Sequence, residues 1–171
     1  MVGGTRTGAV KPVVLIGAVL VLAIVLVVYL MNPQDERLIR KHLSTLAETL
    51  DKEEGESPLV AAVTAKSIAG YFTQDASIHV GSPVGTLQGH QAIVASAARA
   101  RPALAGASFG FKDVNVTLNS DSSAEVFATV EVKAKHRSGE TDYQVRELRL
   151  LFSKVDGDWL ISQVETVATL E

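Results

Sequence analysis

The groups in this sequence that could move a proton near neutral pH are four histidines and a scatter of carboxylates. His79 sits in "ASIHV" and Glu147 in "YQVRELRLLF". A histidine–acid pair sharing one cavity could serve as acid and base in an isomerisation or dehydration, worth about 10²–10⁴-fold in rate. Alternation puts His79 opposite Ile78, and puts Glu147 and Arg149 on one strand face with Tyr143, Val145 and Leu151. His42 is the inward-looking polar residue of a helix, and Tyr71 ends another. His42, Tyr71, His79, Tyr143, Glu147 and Arg149 therefore form the expected ligand-binding set, with His79 and Glu147 as the catalytic candidates. Each has a plainer role open to it: His42 and His79 as structural histidines, Glu147 as a surface partner of Arg146, Arg149 or Lys133. His90 at a helix start and His136 at a hairpin end are expected in solvent, and Asp75 is expected to brace a turn.

Other chemistries lack their residues. There is no cysteine, which excludes disulfides and thiolate chemistry. No H-x-H, HExxH or phosphate-loop pattern occurs, so no metal and no cofactor are expected.

The elements that must position these groups follow from periodicity. Leu38, His42, Leu46 and Leu50 form one stripe over 35–50, flanked by Ile39 and Leu43, with Lys41 largely turned away. "DKEEGESP" is a charged linker. "LVAAVTAKSIAGYF" reads as a second helix packing through Leu59, Ala62, Val63, Lys66, Ala69 and Gly70. A short strand carries Ala76, Ile78 and Val80 on one side; a Gly/Pro turn and a helix stopped at Arg101-Pro102 follow. From Ala107 the period becomes two, giving four long strands joined by "SDSS", "SGE" and "DGD". Val126, Ala128, Val130 and Val132 share one face, and Glu125, Thr129, Glu131 and Lys133 the other, a sheet buried on one side. Helices followed by an antiparallel meander predict an α+β fold.

The first 31 residues differ from the rest. Val13 to Met31 carries no charge, and nineteen helical residues span about 28 Å, close to the hydrocarbon thickness of a bilayer. The run is too long for a signal-peptide core and lacks small residues near its end. The expected organisation is a basic cytoplasmic tail over 1–12, a transmembrane signal anchor over 13–31, and a domain over 32–171 outside the cytoplasm. The last would be periplasmic, on a bacterial-type inner membrane. Setting aside Arg6 and Lys11 leaves fourteen basic against nineteen acidic residues, a net of −5. That balance argues against nucleic acid as a partner.

Two local patterns carry a family resemblance. "YFTQDASIHVGSPVGTLQGHQAI" joins a helix ending in an aromatic pair to a short strand, a Pro/Gly turn and a helix opened by Gly89. "LLFSKVDGDWLISQVET" forms a closing hairpin with Trp159 just after its turn. In their order and spacing these resemble the nuclear transport factor 2-like (SnoaL-like) superfamily, from Asp35 to Leu170. The resemblance implies a cone-shaped domain with a cavity at its wide end, three helices on a curved sheet, and dimerisation through the open sheet face. Ketosteroid isomerase-like members place a carboxylate base before the Pro-Val-Gly turn, where this chain has Ser82, or Val80 on the other count. The first helix lacks their tyrosine, and only Glu147 stands near their second acid. The expected function is accordingly non-enzymatic: an anchored accessory module binding a protein partner or a small apolar ligand. The alternative is an isomerase or dehydratase-type enzyme using His79 and Glu147 in the cavity.

Overall fold

The computed structural model describes residues 34–82 and 85–167. The proposed anchor at 13–31 lies outside the described residues. Among those described, no helix is long and apolar enough to cross a membrane.

The described residues from Glu36 onward form one compact unit. Helix α1 runs to residue 50 and buries Ile39, Leu43, Leu46 and Ala47; the expected stripe is corrected, since Leu38 is exposed and the buried face centres on the flanking Ile39 and Leu43. Helix α2, Pro58–Ala69, starts with Pro58 in its first turn, and the Ser57 hydroxyl accepts from the Val60 amide at 3.3 Å. It buries Ala61, Ala65, Ile68 and Ala69, leaving Leu59 and Val63 exposed. The expected packing face of α2 is thus corrected: of the residues expected on it only Ala69 is buried, and Ala61, Ala65 and Ile68 pack inward beside it.

Strand β1, Phe72–His79, begins four residues earlier than its alternation suggests, because its register slips between Phe72 and Ser77. A short β2, Thr86–Gln88, pairs back antiparallel and leads into α3, Gly89–Ala103, which continues through Pro102. Gly89 has φ +75°, and a Cβ there would stand 3.2 Å from the Gln74 carbonyl oxygen. Both conditions demand glycine. The junction is stitched by Gln88 Nε2 donating to the Asp75 carbonyl at 2.7 Å and by His90 Nε2 donating to the Phe72 carbonyl at 2.8 Å. His90 is therefore a half-buried brace rather than a solvated helix start.

The meander follows as β3 (Leu104–Ser120), β4 (Ser123–His136), β5 (Thr141–Val155) and β6 (Asp158–Thr166). The sheet has six strands in the order β2-β1-β6-β5-β4-β3, with β1 parallel to β6 and every other pair antiparallel. One face is the core: Ala124, Val126 and Ala128 of β4 and Leu148, Leu150 and Phe152 of β5 pack with Ile39, Leu43 and Ile93. Full burial of one such side chain contributes about 1.5–3 kcal/mol, so this apolar layer dominates stability.

A buried ion pair ties the linker to α3. Arg101 donates to Glu56 at 2.7 Å, both side chains being under 10% exposed, and to the carbonyls of Leu50 and Asp51. It thereby satisfies carbonyls at the end of α1 that lack helical partners.

Candidate functional site

The catalytic pair expected from sequence does not converge on the interior. In β5 the core-facing residues are Leu148, Leu150 and Phe152, so Glu147 and Arg149 point to the opposite face. Glu147 is exposed there. It lines a shallow depression of about 400 Å³ with Thr129, Arg146 and Thr166. His79 is also exposed, with Nδ1 3.3 Å from the Thr86 hydroxyl, and its strand partner across β6 is Glu165. Arg149 bridges Glu125 at 2.5 Å and Glu165 at 3.4 Å. Tyr143 is exposed farther along the same face. Placing His79 and Glu147 in a shared cavity is corrected by strand parity: both belong to the open face.

His42 and Tyr71, by contrast, meet. His42 Nε2 lies 3.0 Å from the Tyr71 carbonyl oxygen, and its ring stands edge-on to the rings of Tyr71 (5.0 Å) and Phe152 (5.6 Å). The Tyr71 hydroxyl is held by Thr49 Oγ1 at 2.8 Å and donates to the Thr45 carbonyl at 3.3 Å. A carbonyl only accepts, so Nε2 carries the proton and Nδ1 the lone pair. Nδ1 has no partner among the described residues and is not sealed from solvent.

His42 lines a cleft of about 370 Å³ between α1, the α2–β1 junction and the β5–β6 hairpin. Leu38, Lys41 and Thr45 line it from α1, and Asp158 and Trp159 from the hairpin. Burial lowers the His42 pKa below 6.5; the Tyr71 hydrogen bond and the Asp158 carboxylate oppose this only partly. His42 is therefore a neutral imidazole at pH 7. A neutral base with an open lone pair, a nearby carboxylate and a nearby ammonium can take a proton and stabilise the charges that result.

Lys41 and Asp158 were not candidates on sequence. The stripe reading turned Lys41 away from the packing face, whereas it borders the same cleft as His42. Asp158 lies 116 residues beyond His42, and only its position in "DGD" marked it as a turn residue.

A larger depression, about 740 Å³, borders the linker and is lined by Glu48, Asp51, Glu53 and Glu54 with the Arg101–Glu56 pair. Among the described residues, no group of three or more His, Asp or Glu is placed to hold a metal ion. The His136 ring meets Asp142 at 2.9 Å at its hairpin end.

No family model and no curated protein matches the sequence. Solved structures do match the fold. A type 2 hexachlorocyclohexane dehydrochlorinase aligns with a TM-score of 0.66 at 12% identity, over 82% of this chain and 89% of that one. A Novosphingobium aromaticivorans protein assigned as a scytalone dehydratase gives 0.64 at 17%, over 81% and 87%. A nuclear transport factor 2-like protein with a cystatin-like fold from the same organism gives 0.62 at 20%, over 82% and 86%. At these identities the likeness establishes the fold: this chain has the α+β architecture of nuclear transport factor 2-like proteins, with three helices on a six-stranded sheet. The expectation of a non-enzymatic module is corrected here. Solved structures sharing the fold bear the names of a dehydrochlorinase and a dehydratase.

Proposed function

We propose that this chain is an acid–base enzyme of the isomerase or dehydratase type, with the His42 cleft as its active site. One observation carries the reading: His42 lines a cleft as a neutral imidazole whose Nε2–H is committed to the Tyr71 carbonyl, which leaves the lone pair on Nδ1. The names of the fold's solved relatives support it, since dehydrochlorination and dehydration both remove a proton and a leaving group.

The chemistry then runs as follows. Nδ1 removes a proton from a carbon next to a carbonyl, and the electron pair moves onto the carbonyl oxygen. The Lys41 ammonium stabilises that oxyanion, and the Asp158 carboxylate stabilises the imidazolium. Return of the proton to another carbon completes an isomerisation. Loss of a β-hydroxyl, leaving as water with the imidazolium proton, completes a dehydration.

The test is deuterium exchange at the α-carbon of unsaturated ketones and β-hydroxy ketones, followed by NMR in D₂O. Wild type exchanges and H42Q loses about 10²–10⁴-fold, while the glutamine amide still donates to Tyr71. Equal rates in both proteins, or no turnover of any ketone by wild type, sink the reading.

A further inference from the structure

We infer that the His42 cleft takes a single-chain amphiphile drawn from a lipid bilayer, its anionic, carbonyl-bearing head at Lys41 and its aliphatic chain running out past Leu38. The inference rests on the active-site reading above and adds a substrate class to it. Along α1 the cleft residues have an order: Leu38, then Lys41 and His42, then Thr45. At about 1.5 Å per residue, the apolar lip stands roughly 5 Å from the charged and basic groups. Leu38 is a large apolar side chain left 44% exposed at that lip. Trp159 and the Tyr71 ring add apolar wall beside it. A cleft of about 370 Å³ is at the small end for ligand pockets, so a long chain must leave it, and Leu38 is the large exposed apolar side chain on its rim.

The sequence supplies the source of such a ligand. The uncharged run suited to a bilayer ends at Met31, seven residues before Leu38. Such a run is suited to lipid, where single-chain amphiphiles concentrate. A short, water-soluble carbonyl compound would not need the exposed Leu38.

Trp159 is the only tryptophan and lines the cleft, so its emission reports occupancy. The full chain, mixed with phosphatidylcholine vesicles, is titrated with 9,10-dibromostearate and, separately, with 2,3-dibromopropionate; bromine quenches only at short range. The expected result is flotation of the chain with the vesicles and saturable quenching by dibromostearate at one ligand per chain. Half-saturation should be at least tenfold weaker in L38N and in K41Q, with no quenching by dibromopropionate over the same range. Leu38 and Lys41 are exposed, so both variants retain the core, which circular dichroism checks. A chain that stays with the soluble fraction overturns the inference. So does equal quenching by the two acids, or an L38N titration matching wild type. The H42Q exchange assay is independent of this titration: normal exchange in H42Q with normal quenching sinks the catalytic reading alone, and lost exchange without quenching sinks the amphiphile alone.

Discussion

The Nε2 of His42 and the carbonyl oxygen of Tyr71 lie 3.0 Å apart, and this contact fixes a tautomer. Tyr71 follows the end of α2, and its own hydroxyl is anchored to Thr49 on α1 at 2.8 Å. The imidazole is thus oriented by backbone on one side and gripped edge-on by Tyr71 and Phe152. The ring lines the same cleft as Lys41 and Asp158.

Burial of that ring makes stability depend on pH in a defined sense. The folded chain holds the His42 pKa below 6.5, the value of an unperturbed histidine. Above 6.5 the ring is neutral in both states and contributes no slope. As pH falls below 6.5, the unfolded chain takes up a proton that the folded chain refuses, so stability drops until the folded pKa is reached. Urea midpoints at pH 7.5 and 5 should fall further for wild type than for H42Q, which cannot titrate there. Parallel declines would contradict the assignment.

The Arg101–Glu56 pair makes a second prediction. Both side chains are buried, and Arg101 also holds the carbonyls of Leu50 and Asp51. R101M leaves a carboxylate and two carbonyls without their donor, at a cost of about 3–5 kcal/mol. R101M/E56Q removes the stranded charge and should recover part of the loss. Denaturant unfolding of the two variants measures this; a double variant no more stable than R101M would show that the carbonyl contacts, not the charge, dominate.

Glycine at position 89 is required twice over, and the two requirements separate experimentally. Gly89 has φ +75° and a carbonyl 3.2 Å from any added Cβ, whereas Gly139 has φ +93° with open space around it. G139A meets only the backbone strain, about 1 kcal/mol. G89A meets strain and the Gln74 carbonyl together and should cost about 2–3 kcal/mol. Thermal melts of the two variants compare them directly, and equal losses would mean that β1 yields to relieve the contact.

These elements were not equally legible beforehand. Period-two alternation marks β4 without ambiguity, because Val126, Ala128 and Val130 are buried in turn. The α2 face does not show in the hydrophobic pattern, which Leu59 and Val63 dominate while Ala61, Ala65 and Ile68 do the packing. The parallel pairing of β1 with β6 joins Ile78 to Val164, a contact no local pattern encodes. His42 was visible as a polar interruption of an apolar stripe. Its setting was not, since the cleft needs Tyr71 and Asp158 brought from two other elements. His79 and Glu147 drew notice by residue type, and only the strand pairing shows which face each occupies.

That face supports the last prediction. His79 and Glu147 both stand on the side of the sheet opposite Leu148, Leu150 and Phe152, so neither shares a cavity with the His42 ring. H79Q and E147Q should therefore leave α-proton exchange within about twofold of wild type, while H42Q loses about 10²–10⁴-fold. Their stability should also change little, because exposed polar substitutions usually stay within about 0.5 kcal/mol. Loss of exchange in E147Q with the fold intact would move the chemistry to the open face of the sheet. The same outcome would make the depression beside Arg146 and Thr166, rather than the cleft beside Trp159, the place where substrate binds.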